Sequence, residues 1–178
     1  MSQKKFKGIS TVTLHTAGHD NDSFSHTTPI YATSTFTFNS AEEGMERFKG
    51  EDKSKLYTRW GNPTFVAAEQ TIAALESHGL MNEQGEPLQL KALLHSSGQA
   101  AMTTLFFSNL SAGDTLISHY SLYGGSQELM QKVLAEAGVK IILIDIHDEA
   151  LLIETITANP STKLIHLETP ANPTLQCV

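Results

Sequence analysis

Residues 90–101 read LKALLHSSGQAA, and the parsing of this stretch decides the fold. Leu90, Ala92, Leu93 and Leu94 make residues 90–95 a short apolar run, the pattern of a strand buried on both faces. Ser96-Ser97-Gly98 breaks that run, and a helix-forming segment follows from Gln99 to Asn109. The stretch therefore predicts strand, tight turn and helix in immediate succession. The same alternation continues downstream. After the turn Ser111-Ala112-Gly113-Asp114, residues 115–118 read as a second strand. Gly124-Gly125 opens a helix that should run to Ala137-Gly138. Residues 139–146 (VKIILIDI) are the most β-rich run of the chain, residues 149–158 a helix closed by Asn159-Pro160, and residues 163–167 a fourth strand. Alternating strands and helices predict an α/β domain with a largely parallel sheet.

Upstream the pattern weakens. Residues 64–77 place Val66, Ile72, Ala73 and Leu75 for a helical face, with Asn62 as N-cap and Pro63 in the first turn. Residues 81–89 are a polar loop. Residues 1–56 do not read as a regular domain. PIYATSTFTF (residues 29–38) has Ile30, Phe36 and Phe38 spaced for an extended segment, and residues 41–50 make one short helix ended by Gly50. An arm with apolar residues and no core partner of its own should pack on something else, so residues 1–56 are expected to be an oligomer clasp and residues 57–178 the domain proper.

The chain has 178 residues, enough for one core. Its charge is 12 − 19 = −7 with His neutral, which argues against a general nucleic-acid partner. Only two of the twelve basic residues are arginines, Arg47 and Arg59. A lone cysteine, Cys177, excludes an internal disulfide framework and a cysteine-based zinc site. His15 and His19 are four apart, but Gly18 and the neighbouring threonines make a helix poor there, so no metal is expected. The basic start MSQKKFKGIS leads into no apolar core of a secretory leader, and no window is long and apolar enough for a membrane span. The expectation is a soluble, cytoplasmic protein with no membrane partner.

Four stretches could carry chemistry. Ser96-Ser97-Gly98-Gln99 joins a strand end to a helix start, where free backbone N–H groups and the helix dipole favour an anion, phosphate above all. No Gly-Lys-Ser/Thr follows, so this is not a Walker loop. YTRWGNPT (residues 57–64) pairs the phenol of Tyr57 with Arg59, whose guanidinium suits bidentate phosphate binding. Tyr123 precedes two glycines that leave room for a flat ligand against its ring. Glu168, at the last strand's carboxyl end, and Asn172, in the loop beyond it, stand where open α/β sheets bind ligands. Together these predict a site for a flat, phosphorylated molecule.

PIYATSTFTF, YTRWGNPT, SSGQAA, YGGS and ETPANPT, in this order and spacing, resemble the Cys/Met-metabolism branch of pyridoxal-phosphate (PLP) enzymes. The resemblance covers nearly the whole chain. It implies the large domain of the aspartate-aminotransferase-like fold (fold type I), preceded by an extended arm and incomplete. It implies PLP as cofactor, a small sulfur amino acid as substrate, C–S lyase or replacement chemistry on cystathionine, homocysteine or an activated homoserine, and a homo-oligomer, a dimer of dimers with shared active sites. By the same resemblance Tyr57 and Arg59 would bind the phosphate of the neighbouring subunit's cofactor. The turn of Ser97, with the backbone N–H groups of Gly98 and Gln99, would bind it in their own subunit. Tyr123 would stack on the ring and move a proton or orient the substrate, Asn172 would contact the ring's phenolic oxygen, and Glu168 would order that loop. Gln99 replaces a methionine common in the family, and Gly125 stands where methionine γ-lyases carry a cysteine. The long loop at residues 80–90 is also unusual. The family's aspartate for the pyridine nitrogen would follow Val178, and its Schiff-base lysine would lie further on. The expectation is therefore an amino-terminal part, inactive alone. The alternative is a lysine-less paralogue that binds PLP or partners without catalysis.

Overall fold

The computed structural model describes residues 8–16, 23–50 and 55–178. The chain divides into two compact units, Met1–Leu94 and His95–Val178.

In the first unit the helices are α1 (Ile9–His15), α2 (Ala41–Lys49) and α3 (Pro63–Glu76). Ser40 caps α2 by accepting from the Glu43 N–H, and the helix stops at Gly50 as the sequence predicts. Asn62 caps α3: its Oδ1 accepts from Thr64 N at 2.9 Å, and its Nδ2 donates to Tyr31 O at 3.0 Å. One buried side chain thus starts the helix and pins the extended segment of residues 29–38 to it. That segment stays extended, with one antiparallel bridge, Thr35 to Tyr57, instead of a ladder.

Residues 57–94 fall in the same compact unit as the segment before them. Three sequence expectations change in this unit. Helix α1, which packs on α3, had no clear signature among its polar and β-branched residues. It also shows that helix forms as far as His15, while His19 lies outside the described residues. Finally, α3 buries none of its residues, and Ile72 is exposed. At ~100° per residue Ile72 sits ~240° round the helix from Val66, so the two never shared a face.

The second unit is a parallel sheet in the order β2-β1-β3, with β1 (Thr115–His119) central, β2 (Lys140–Ile144) and β3 (Thr162–His166). Helix α4 (Gly98–Asn109) precedes β1, and α6 (Glu149–Ala158) joins β2 to β3. Central β1 is buried along its whole length, as a strand flanked on both edges must be. Phe106 of α4 and Leu110, which caps its end, meet Leu116, Leu122, Met130, Leu134 and Val139 in one core. The first of the four expected strands, residues 90–95, is not one. Leu93 and Leu94 are exposed, no described strand pairs with them, and Leu94 N donates to the Glu69 carboxylate at 2.9 Å instead.

The helix after Gly124-Gly125 is also not uniform. It begins as α5 (Gly124–Glu128) and widens into a π turn, Leu129–Leu134, where Ala135 N–H reaches back five residues to Met130 O. Ser126, Met130 and Leu134, four apart, all face the interior. In an α-helix that spacing drifts ~40° per step, and a wider turn takes up part of the drift.

Candidate functional site

Within the second unit, one edge of the sheet gathers most of the predicted site. Ser97 caps α4: its Oγ accepts from Ala100 N at 3.1 Å, and its carbonyl accepts from Ala101 N. Its hydroxyl oxygen thus accepts from the helix and keeps its own proton to donate. The N–H groups of Gly98 and Gln99 donate to no acceptor among the described residues, and they sit at the positive end of a 12-residue helix. A Cβ on Gly98 would meet nothing within 4 Å, so open space lies against that backbone.

Glu168, two residues past β3, reaches the start of α5. Its Oε2 accepts from Tyr123 N at 2.8 Å and its Oε1 from the Ser126 hydroxyl at 2.5 Å. A carboxylate at a helix start satisfies otherwise orphaned donors and complements the dipole. Ser126 is buried, and the sequence analysis holds it only as the last residue of YGGS, with no role of its own. The only signal for it was a hydroxyl residue three positions past the tyrosine.

With its backbone fixed, Tyr123 is 47% exposed, and its ring lies over Gly125. A Cβ on Gly125 would stand 2.5 Å from Tyr123 Cε1 and 3.2 Å from Gln99 Nε2. The second glycine is thus what lets phenol, turn and Gln99 share one spot. Asn172 is exposed in the loop after Glu168, and a bond between Ser121 Oγ and Thr174 Oγ1 (2.8 Å) ties that loop to the turn before Tyr123. Beneath it, burial holds the His166 imidazole below the ordinary histidine range against the opposing pull of Glu168.

Tyr57 and Arg59 belong to the first unit. The Arg59 guanidinium carbon lies 5.2 Å from the centre of the Tyr57 ring, and Arg59 is exposed with no carboxylate partner among the described residues. The other arginine is committed: Arg47 pairs with Glu43, donates to Lys55 O and covers the Phe38 ring. Of the two arginines, Arg59 is the one left to take an anion.

A family model described as "Cys/Met metabolism PLP-dependent enzyme" matches residues 10–178. The chain belongs to this family. It is 34% identical over 177 residues to an L-methionine gamma-lyase of Treponema denticola, covering 98% of this chain and 41% of that protein. It is 33% identical over 168 residues to an O-acetyl-L-homoserine sulfhydrylase of Corynebacterium glutamicum, covering 93% and 36%. Among solved structures, a cystathionine gamma-lyase of Lactobacillus plantarum complexed with L-serine superposes with a TM-score of 0.76 at 31% identity, covering 96% of this chain and 39% of that one. A Campylobacter jejuni structure, described as an O-acetylhomoserine (thiol)-lyase and carrying an N'-pyridoxyl-lysine-5'-monophosphate, gives 0.80 at 26% identity. The fold is thus that of the fold type I PLP enzymes, and the chain spans about two fifths of the length of the relatives it matches.

The residues present fit the family's cofactor. Two uncommitted N–H groups at a helix start with open space beside Gly98 suit a phosphate, and an exposed phenol over Gly125 offers a face for a planar ring.

Proposed function

We propose that the chain serves, as an amino-terminal part, a PLP-dependent enzyme of sulfur amino-acid metabolism that cleaves or exchanges the Cβ–S or Cγ–X bond of cystathionine, homocysteine or an activated homoserine. The observation that carries this reading is Tyr123, its backbone N–H held by Glu168 and its phenol set beside the α4 start. When bound, PLP supplies an electron sink for charge developing next to the substrate nitrogen.

The chain's own residues do the rest. Gly98 and Gln99 N–H groups bind the phosphate, with the dipole of α4 behind them. Tyr123 holds the ring plane by stacking, and its hydroxyl gives a proton to the departing sulfur or oxygen. Asn172 donates its side-chain N–H to the ring's phenolic oxygen. Glu168 positions Tyr123 without touching the substrate. Tyr57 and Arg59 supply a hydroxyl and a guanidinium to the phosphate of a neighbouring subunit's site, so the working unit is a homodimer or a pair of dimers. The 178-residue chain alone is inactive on this reading.

The test uses the complete reading frame that carries this segment, loaded with PLP and assayed with L-cystathionine, L-methionine and O-acetyl-L-homoserine plus sulfide. Turnover of at least one is expected. Tyr123→Phe should retain PLP absorbance and lower kcat by ~10²–10⁴. No turnover of any of the three overturns the activity. Near-normal kcat in the Phe variant reduces Tyr123 to a stacking residue.

A further inference from the structure

A second cluster lies at the same end of the sheet and has no part in the site above. His119 ends β1, Asp145 follows β2 directly, and His147 stands two residues on. One ligand atom from each lies within 4.8 Å of the others. The His119 imidazole is wholly buried, while Asp145 and His147 are each 47% exposed, so the cluster opens to solvent on one side.

The hydrogen bonds around it set acceptors against acceptors. His119 Nδ1 accepts from Ile146 N at 3.2 Å, so it carries a lone pair, and its Nε2 is buried with no partner. His147 Nε2 is 2.9 Å from Cys177 O, which can only accept, so the proton of the neutral ring sits on Nε2. Its Nδ1 lone pair then faces Asp145 Oδ1 at 3.0 Å. The same oxygen is 3.8 Å from His119 Nδ1. Three lone-pair atoms therefore converge, and the donors they meet are backbone ones: Ile146 N on His119 Nδ1, and His147 N on Asp145 Oδ1 at 3.1 Å. A proton on His147 Nδ1 relieves one approach and leaves His119 facing the carboxylate. A divalent cation relieves both.

We propose that His119 Nδ1, Asp145 Oδ1 and His147 Nδ1 form a binding site for a divalent transition metal of the zinc type, with the remaining position open to water. Two imidazoles and a carboxylate are a donor set that zinc accepts, at about 2.0–2.2 Å per bond. Tetrahedral bonds of that length set ligand atoms about 3.3 Å apart, close to the 3.0 and 3.8 Å found here. The two exposed side chains can take up the difference, and the metal replaces the long Ile146 contact at His119. The bond from His147 Nε2–H to Cys177 O is the kind of outer contact that orients a metal-bound imidazole. So placed, the metal clips together the ends of β1 and β2 and the residues around Cys177.

The experiment is calorimetric titration of the tag-free full chain, stripped with chelator, against zinc sulfate near pH 7.5, repeated with cobalt(II) for its tetrahedral visible spectrum. The expected result is one zinc per chain. Asp145→Asn and His147→Gln, both at half-exposed positions, should each weaken binding roughly tenfold or more. Cys177→Ser should leave binding unchanged, because the carbonyl and not the thiol is used. Absence of a stoichiometric site, equal binding in both ligand variants, or loss of binding in Cys177→Ser would each overturn the assignment.

Discussion

Gly125 shows how much one missing methyl can matter. Its place 2.5 Å from the would-be overlap with Tyr123 means that Gly125→Ala must push the phenol aside. Because that ring is half exposed, the chain should lose little stability, within ~0.5 kcal/mol, whereas cofactor retention in the complete enzyme should fall severalfold. Melting temperature and PLP titration on the same variant check both halves. A second residue-scale expectation concerns pH. Asp145 is held below the usual carboxylate range chiefly by its hydrogen bond from the His147 side chain, and His147 is raised first by Cys177 O and then by Asp145. The Asp145 contribution is present above ~3.9 and lost as pH falls through its lowered folded value. The His147 contribution is present below ~6.5 and lost as pH rises through its raised one. In chelator, the stability difference between the chain and Asp145→Asn should therefore be greatest between about pH 4 and 6.5 and shrink on either side. Urea denaturation across pH measures it, and a difference that is flat from pH 4 to 9 would contradict the pairing. Singly, Tyr123, Gly98 and Glu168 were legible in the sequence because each sits at a junction of strand, turn and helix. Ser126 and the His119–Asp145–His147 group were not, since only the parallel pairing of β1 with β2 brings residues 119 and 145 together.

At the scale of elements, the cap expected from the sequence, Asn62, is one, and Ser97 and Asp148 are two more that the structure adds. Asn62-Pro63, Ser97 and Asp148 each sit where their side chains start a helix, because an Asx or Ser oxygen needs only the next turn of backbone to act. Asn62 does more than cap, since it also donates to Tyr31 O and Thr58 Oγ1. Asn62→Ala should cost about 1–3 kcal/mol, and Asn62→Asp, which keeps the acceptor and loses the donors, an intermediate amount. Denaturant midpoints of the two variants decide it; equal losses would mean that the tie to residue 31 contributes nothing. Residues 90–95 were misread for a related reason. An apolar run states that a segment is extended, but a strand also needs an edge to pair with, and nothing local in the sequence supplies one.

At the scale of the molecule, the α/β class and the parallel sheet followed from alternation alone, because a parallel connection needs a crossover long enough to see as a helix. The tie between the arm and residues 57–94 did not, because it is made by single side chains such as Asn62. The lysines give a whole-chain expectation. Lys132 is paired with Glu128, Lys140 with Asn159, and Lys163 lies at the opposite end of β3 from Glu168. None of these three stands by Tyr123. Incubating the 178-residue chain with PLP and reducing with borohydride should then label no single lysine stoichiometrically. Mass spectrometry reads the outcome, and one fully labelled lysine would contradict it.

The π turn after α5 has a consequence for how this helix can change over generations. It stores one residue more than an α-helix of equal rise would hold. Removing one residue there lets the helix close as a regular α turn with little change of phase, so Ser126 stays at Glu168 and Leu134 stays in the core. The same deletion in a regular α turn would rotate one end against the other by ~100°. The wide turn is thus slack held in the chain, the one place in this helix where a lineage can shed a residue without re-aiming the phenol or the leucines.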